Sequence, residues 1–193
     1  VKCNPDKPQA SVRLRALKDG KRLYMAVPRL KNIRCFVELT SESLNRRKIN
    51  LEEASFSRKG MKHGKLVSFE EMQPIDLVVS GCVAVTRNGG RLGKGAGFAD
   101  LELGMLSEFG LVKSTTPIVT TVHPLQIAED ALLPMQTHDW PLNWIITPDE
   151  VIETHTPYLQ TLGLDWNSVH PEQFKTIPIL RKLRGKNIKS KSK

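Results

Sequence analysis

The sequence contains little of several residue classes, and each shortage narrows the kinds of protein that it can encode. Its three cysteines include no Cys-x-x-Cys pair, which argues against a disulfide framework and predicts reduced thiols in the cytoplasm. A membrane-spanning helix needs about 18 consecutive apolar residues, and no apolar run approaches that length. No N-terminal stretch has the pattern of a signal peptide. Only 6% of the residues are aromatic, and no Phe, Trp or Tyr lies within the basic stretch at residues 58–65. Stacking of nucleic-acid bases on that stretch would require such side chains. We therefore expect a cytoplasmic protein without a membrane segment.

What the chain does contain is typical of one globular domain. It has 193 residues, of which 39% are hydrophobic and 25% charged, enough to build a substantial core. The sequence begins at Val1 rather than at a methionine, so we expect a further N-terminal segment to precede it.

The net charge of +9 is concentrated at the C-terminal end. Residues 181–193 hold seven lysines or arginines and no acid, whereas the remainder has 22 basic and 20 acidic side chains. Two interpretations of this basic tail stay open. It is either a flexible, solvated terminus or a segment that makes weak, sequence-independent contact with nucleic-acid phosphates.

Hydrophobic periodicity predicts an α/β protein. The predicted helices cover residues 9–18, 41–47 and 98–109, and the predicted strands cover 22–27, 35–39, 75–79, 83–85, 117–122 and 143–147. The apolar runs at 75–79 and 83–85 are typical of a strand that a parallel sheet buries on both faces. In the first helix we expect Val12, Leu17 and either Leu14 or Arg15 to face the core. Residues 48–68 support no assignment.

Residues 89–100, GGRLGKGAGFAD, contain five glycines, two cations and a closing aspartate. Glycine loses more conformational entropy on folding than any other residue, so five of them indicate that something approaches the main chain closely. A buried strand before such a loop and an amphipathic helix after it form an anion site, because free amides and the helix dipole point at the ligand. We therefore predict phosphate binding. The alternative is a flexible connection whose cations merely face water.

Neither of the two best-known phosphate-binding patterns fits this loop. The P-loop requires Ser or Thr after its Gly-Lys, but Gly95 follows Lys94, and the dinucleotide fingerprint requires glycine where Phe98 stands. The spacing is instead Gly-x-Gly-x-Gly. Asp100 also has two interpretations: favourable interaction with the dipole of the following helix, or ligation of a Mg²⁺ that lets a carboxylate lie beside phosphates.

Residues 91–100, RLGKGAGFAD, resemble the R-x-G-x-G-x-G-[YF]-Y-D signature of 5-formyltetrahydrofolate cyclo-ligases, also called methenyltetrahydrofolate synthetases. The resemblance continues through Thr120–Gln126, Leu133–Pro134, His138–Asp139 and Trp144–Pro148, and it covers most of residues 8–153. It is closer still to a divergent branch, the methenyltetrahydrofolate synthetase domain-containing proteins, in which segments similar to residues 4–8, 75–79 and 177–181 are typical.

This resemblance implies a three-layer α/β/α fold with a mixed or mostly parallel sheet, and ATP-dependent closure of 5-formyltetrahydrofolate to 5,10-methenyltetrahydrofolate. It implies that ATP and Mg²⁺ are bound and that a reduced folate is the small-molecule substrate. In this scheme Arg91 is catalytic, because it neutralises the transferred phosphoryl group, and Asp100 and Asp139 hold the metal. The nucleotide is bound by eight consecutive residues: Arg91, Leu92, Gly93, Lys94, Gly95, Ala96, Gly97 and Phe98.

The resemblance also implies a division of the chain, with a nucleotide-binding domain at residues 1–154, a C-terminal extension at 155–180 and the basic flexible tail at 181–193. Ala99 and Leu101 depart from the signature, and the family's N-terminal helix, whose lysine and arginine reach the nucleotide, would precede Val1 and is not part of this sequence. A second function therefore stays open, that of a non-catalytic nucleotide-binding or RNA-associated module with the same fold.

Overall fold

The computed structural model describes residues 1–160 and 162–190, in which helices cover both faces of a large sheet. The strands are β1 (Lys2–Cys3), β2 (Leu23–Ala26), β3 (Phe36–Leu39), β4 (Lys65–Val67), β5 (Val78–Val79), β6 (Ala84–Thr86), β7 (Arg91–Leu92), β8 (Ile118–Thr121), β9 (Ile127–Ala128), β10 (Trp144–Ile146) and β11 (Val151–Glu153). The α-helices are α1 (Ala10–Lys18), α2 (Ser41–Arg46), α3 (Leu51–Ser55), α4 (Ser57–His63), α5 (Phe98–Glu108), α6 (Pro171–Thr176) and α7 (Pro178–Ser190). Short 3-10 helices lie at Lys7–Gln9, Pro28–Leu30, Phe69–Glu71, Pro124–Gln126 and Asp130–Leu132.

Within these described residues, eight strands form the large sheet in the order β11-β10-β8-β5-β1-β2-β3-β4. The five strands from β10 to β2 are parallel to one another, and antiparallel strands complete both edges. A second, small sheet has the order β7-β6-β9. The predicted α/β fold with a mixed, mostly parallel sheet is confirmed.

The large sheet separates two hydrophobic clusters, which gives the molecule its three layers. Along β2, Leu23 and Met25 belong to one cluster and Tyr24 and Ala26 to the other, as the alternation of side chains in a strand dictates. Helices α1, α2 and α3 cover the first face, and α5 and α7 cover the second with buried leucines and isoleucines.

The strand predicted at residues 83–85 is present as β6, but it does not continue the buried strand of the large parallel sheet. The structure ends β5 at Val79 and places β6 in the small sheet, and Val83, which precedes β6, is 48% exposed. The reason is that β6 pairs with β7 as a hairpin that leaves the large sheet and leads into the glycine-rich stretch. An apolar run alone cannot distinguish one buried strand from two that belong to different sheets.

Helix α1 differs from prediction in the side chain that it buries. Arg13 is fully buried, whereas Arg15 is exposed and pairs with Asp19. Arg13 Nε donates to the carbonyl of Ser55 at 2.7 Å, and its Nη1 donates to the carbonyl of Asp6 at 3.0 Å. Backbone carbonyls therefore satisfy the buried guanidinium, which in turn fixes the turn that follows β1.

The C-terminal part of the chain is folded further than we predicted. Helix α7 runs across residue 181, where a flexible tail was expected to begin, because Leu183 is part of the core and Lys182 Nζ lies 2.7 Å from Glu70 Oε1. Residues 191–193 of that tail lie outside the described residues, and the division into three units stays a prediction. None of the helices in the described residues combines the length and the apolar character that crossing a bilayer requires.

Candidate active site

The glycine loop, residues 93–97, connects β7 to the N-terminus of α5. It lies at the edge of the sheet where the central parallel strands end, because the segments that follow β1 and β5 and the end of β8 line a cavity together with it. In open α/β sheets ligands bind beyond the carboxyl ends of the strands. The fold therefore places the loop where a ligand site is expected.

The loop glycines face open space rather than other parts of the protein. Gly95 has a φ of +83°, a left-handed conformation that favours glycine, and a Cβ built on it would meet nothing within 4 Å. A Cβ on Gly93 would have its nearest neighbour, Arg91 Nη1, at 3.8 Å. Packing within the protein therefore does not explain why Gly93 and Gly95 are glycines.

The loop divides two cavities. The carboxylate cavity, about 390 Å³, is lined by Gly95, the side chains of Asp100 and Asp139, and residues 163–165. The proline cavity, about 330 Å³, is lined by Lys94, Phe98 and the prolines Pro5, Pro8 and Pro28. Ala96, Gly97 and Asp100 line both cavities, so a group bound at the loop can be reached from either side.

Arg91 and Asp100 form a buried ion pair beneath the loop. The Arg91 side chain is 2% exposed, and its Nη2 donates to Asp100 Oδ1. Trp140 ties the pair together, since its carbonyl accepts from Arg91 Nε at 3.3 Å and its amide donates to Asp100 Oδ1 at 3.0 Å. Burial lowers the pKa of the Arg91 guanidinium, but Asp100, Cys82 and Asp139 together outweigh burial, and the pKa is raised overall. Arg91 is thus charged at every accessible pH, and Asp100 already balances that charge.

Lys94 is the exposed cation of the loop. Its side chain is 77% exposed, and Nζ pairs with Asp6 from the turn after β1. Gly81, at the end of β5, leaves room for this aspartate, because a Cβ there would collide with the Asp6 carboxylate. The contact joins the N-terminal turn to the glycine loop across the mouth of the proline cavity.

Asp139 lies beside Asp100 in the carboxylate cavity, since Trp140, which donates to Asp100, directly follows it. Asp139 Oδ2 accepts from the amide of Gln136 at 2.8 Å. In residues 1–160 and 162–190, no group of three or more His, Cys, Asp or Glu side chains is placed to hold a metal. Two carboxylates nevertheless suit Mg²⁺, which keeps several waters and usually binds one or two carboxylates together with substrate phosphates.

The amino-acid sequence can now be compared with those of known proteins. The sequence model of the 5-formyltetrahydrofolate cyclo-ligase family matches residues 1–148. The chain belongs to this family. The resemblance carried by residues 91–100 is thereby confirmed, and the family assignment covers every strand of the large sheet except β11.

Curated relatives point to the same branch of the family. Methenyltetrahydrofolate synthase domain-containing protein of Danio rerio is 38% identical over 184 residues, which are 95% of this chain and 48% of that protein. The protein of the same name in Homo sapiens is 36% identical over 186 residues, which are 96% of this chain and 48% of that protein. The chain thus spans about half the length of the curated relatives that it matches.

The structure brings most of the predicted site residues together, but not all in the same role. Gly93, Lys94, Gly95, Ala96 and Gly97 line the two cavities, and so does Phe98, whose ring also packs against the core. Leu92 is 46% exposed and lines neither cavity. The assignment of these residues to nucleotide and metal stays a prediction.

Sequence reasoning missed buried polar side chains that lie near the proline cavity and join separate elements of the fold. Lys2 is fully buried, and its Nζ lies 2.7 Å from Glu102 Oε2, which ties the first strand to α5. Gln9 is 2% exposed, lines the proline cavity and donates from Nε2 to Thr121 Oγ1 at 3.2 Å. A lysine in an apolar strand and a glutamine at a helix start carry no sequence signal for such roles.

Proposed function

We propose that this chain binds ATP with Mg²⁺ and a formylated reduced folate, and closes the folate ring at the expense of ATP, as in the reaction that gives its family its name. One observation carries the proposal: the glycine loop separates two cavities that share Ala96, Gly97 and Asp100. A reaction in which a phosphoryl group passes between two substrates requires such an arrangement, because both substrates must reach the same point.

The carboxylate cavity suits the nucleotide phosphates. The free amides at the N-terminus of the 11-residue helix α5 adjoin it, and Gly95 lets a ligand approach the main chain. Asp100 and Asp139 would hold Mg²⁺, and a bound Mg²⁺ would neutralise the phosphate charge. Lys94, which is exposed and held only by Asp6, is the loop cation that can turn to the transferred group.

The proline cavity suits a flat heterocycle. Pro5, Pro8, Pro28 and Phe98 form apolar parts of its walls, and polar or charged side chains, including Asp6, Gln9, Lys94 and Glu102, line other parts. Among the described residues Gln9 Oε1 is buried without a hydrogen-bond partner, and an N–H of a pterin ring would supply one. The Cys82 thiol also lines this wall, and burial raises its pKa, so it stays protonated and is not a nucleophile at neutral pH.

The proposed chemistry needs no covalent link to the protein. The formyl oxygen of the folate attacks the γ-phosphorus of ATP and ADP leaves. The neighbouring folate nitrogen, a secondary amine outside the pterin ring, then attacks the activated formyl carbon, a proton is lost, and the C–O bond breaks as inorganic phosphate departs. The protein contributes positioning and charge balance, which carry most of the catalysis in phosphoryl transfer.

The experiment incubates the purified chain with 5-formyltetrahydrofolate and Mg-ATP and follows methenyltetrahydrofolate by its near-ultraviolet absorbance. We expect an ATP-dependent rise that Asp139→Asn reduces at least tenfold, because a metal ligand is lost from the transition state. Asp149→Asn, an exposed aspartate that lines neither cavity, is the matched control. If the wild-type chain binds Mg-ATP in calorimetry but gives no product, the cyclo-ligase reaction is wrong for this chain.

A second candidate function is nucleotide binding without turnover. It is favoured by the charge state of the loop, because carboxylates already pair with both Arg91 and Lys94. Binding of Mg-ATP that leaves ADP and phosphate undetected over hours would support this candidate instead.

A further inference from the structure

We infer that Gln173 is a positioning residue of the glycine loop, through which the C-terminal segment, residues 162–190, completes the carboxylate cavity. Which ligand the loop receives rests on the proposed function, but the contact itself does not. Gln173 lies beyond residues 1–148, the part of the chain that the family model matches.

The Gln173 side chain joins two parts of the structure with its two amide atoms. Its Nε2 donates to the carbonyl of Ala96, in the middle of the loop, at 3.0 Å. Its Oε1 accepts from the backbone amide of His170 at 3.0 Å, which caps the start of α6. Because the cap fixes the oxygen end, the nitrogen end is aimed at the loop.

The contact acts at a point where the loop has little other support. A Cβ on Gly95 would meet nothing within 4 Å, and the nearest atom to a Cβ on Gly97 would be Gln173 Nε2 itself at 3.5 Å. The carbonyl of Ala96 and the amide of Gly97 belong to one planar peptide. Holding the carbonyl therefore fixes the direction of that amide and turns the negative end of the peptide dipole toward Gln173 instead of a bound anion.

The segment that carries Gln173 is firmly attached to α5. The amide of Gly163 donates to Ser107 Oγ at 3.0 Å, and the amide of Leu164 donates to Glu108 Oε1 at 3.1 Å. Gly104 makes room for this approach, because a Cβ there would lie 2.9 Å from the carbonyl oxygen of Gly163. Helix α7 then continues into the core, so the cavity wall at residues 163–173 is held at both ends.

The first measurement is hydrogen exchange of the free protein, which needs no ligand. In Gln173→Ala we expect the amide of Leu101, which donates to the carbonyl of Gly97 at 3.1 Å, to exchange about fivefold faster, because the loop that carries this carbonyl loses its bond to Gln173. Gln173→Glu keeps the oxygen that caps His170 but cannot donate to Ala96, so it should accelerate exchange of Leu101 equally. The control is Gln160→Ala, because Gln160 Nε2 donates to another backbone carbonyl, that of Lys113, at 3.2 Å and away from the loop.

Unchanged exchange of the Leu101 amide in Gln173→Ala would overturn the inference. Wild-type exchange in Gln173→Glu would also overturn it, because the role of Gln173 would then be the cap of α6 alone. A second measurement, calorimetric titration with Mg-ATP, should give a Kd about fivefold higher for Gln173→Ala than for wild type and Gln160→Ala. Faster exchange together with no ATP binding by the wild type would support the positioning role and reject the proposed function, so the two failures are distinguishable.

Discussion

The stretch of residues 89–97 contains two groups of glycines that look alike in sequence and differ in structure. Gly89 and Gly90 are enclosed: a Cβ on Gly89 would lie 2.6 Å from the carbonyl oxygen of Leu142, and one on Gly90 would collide with Thr86 Oγ1. Gly93 and Gly95, a few residues later, face open space. The first pair is explained by the packing of the protein, whereas packing does not explain the second pair, which we propose to serve the approach of a ligand.

This difference teaches how a glycine-rich motif is to be interpreted. Each glycine costs conformational entropy on folding, so each needs a reason. Around residue 89 the reason is the hairpin of β6 and β7 and its contact with the chain before β10, where the amide of Leu142 donates to the carbonyl of Gly89 at 2.9 Å. In the loop itself the left-handed φ of Gly95 is one reason, and we propose that a ligand in the adjoining cavities is the other. The following predictions test this contrast, from the largest expected effect to the smallest.

The largest effect is expected at Asp100, which serves the packing of the protein and the proposed site at once. Asp100→Ala leaves the buried Arg91 guanidinium without its counter-charge, and we expect the free energy of unfolding to fall by about 3–5 kcal/mol. Equilibrium urea denaturation measures this loss, with Asp149→Ala as the exposed control. A loss below about 1 kcal/mol would contradict the buried pair. Weaker ATP binding by this variant would not identify a metal ligand, so Asp139→Asn is the sharper probe.

The next effect is expected at the enclosed glycine. Gly89→Ala places a Cβ against the main chain of Leu142 at a φ of +94°, and we expect a loss of about 2–4 kcal/mol of unfolding free energy. The same denaturation experiment measures it. If Gly89→Ala were as stable as wild type, the first half of the contrast would fail.

At Gly95, which faces open space, we expect a small loss of stability and a large loss of ATP affinity. Gly95→Ala should lose about 1–2 kcal/mol of stability, because of the left-handed φ alone, and should weaken Mg-ATP binding at least tenfold. Gly20→Ala is the matched control, since Gly20 also has a positive φ, +68°, with nothing within 4 Å of its Cβ, and follows α1 outside both cavities. If the two variants lose equal stability but only Gly95→Ala loses ATP affinity, the difference between enclosed and open glycines is supported. If both variants bind ATP equally well, the assignment of phosphate binding to the glycine loop is wrong.

The smallest effect is expected at an ion pair outside both groups of glycines. The hydrogen bond from Lys182 lowers the pKa of Glu70 to about 2, below its ordinary 4.5. A depressed carboxyl pKa stabilises the fold above the unfolded value, and that stability is lost as the pH falls from 4.5 toward 2. Lys182→Met should therefore cost less than about 1 kcal/mol at pH 7 and progressively less in that acid range, with unchanged ATP affinity. A pH-independent difference would show that packing, not charge, is lost.

The sequence was sufficient for the parts of this site that depend on local periodicity. Helix α5 begins at Phe98 as predicted, because apolar residues recur at helical spacing after the last loop glycine. The sequence was insufficient where a contact joins residues that are far apart along the chain. Nothing in the composition of α1 distinguishes buried Arg13 from exposed Arg15, since the difference is made by carbonyls of other segments. The bond from Gln173 to Ala96 spans 77 positions and has no local signature at all.

The basic C-terminus is a second region in which the sequence did not indicate the packing that the structure shows. Charge alone favoured a solvated tail, but Ile177, Ile179, Leu180 and Leu183 are buried beneath that charge. An amphipathic helix whose exposed face is almost wholly basic has the composition of a tail and the packing of a core element. Contact between nucleic acid and this face stays a prediction.

The burial of Leu183 has a consequence for how the molecule is made. The hydrophobic cluster that contains α5 also contains side chains of α7, which the ribosome adds about eighty residues later, and the central strands β1, β5 and β8 are likewise far apart along the chain. Such non-local contacts form slowly. A nascent chain halted near residue 148, the end of the family match, would hold every central strand and still lack the α7 side chains of this cluster. Until α7 is made, the apolar side chains that it buries are open to chaperones and to aggregation.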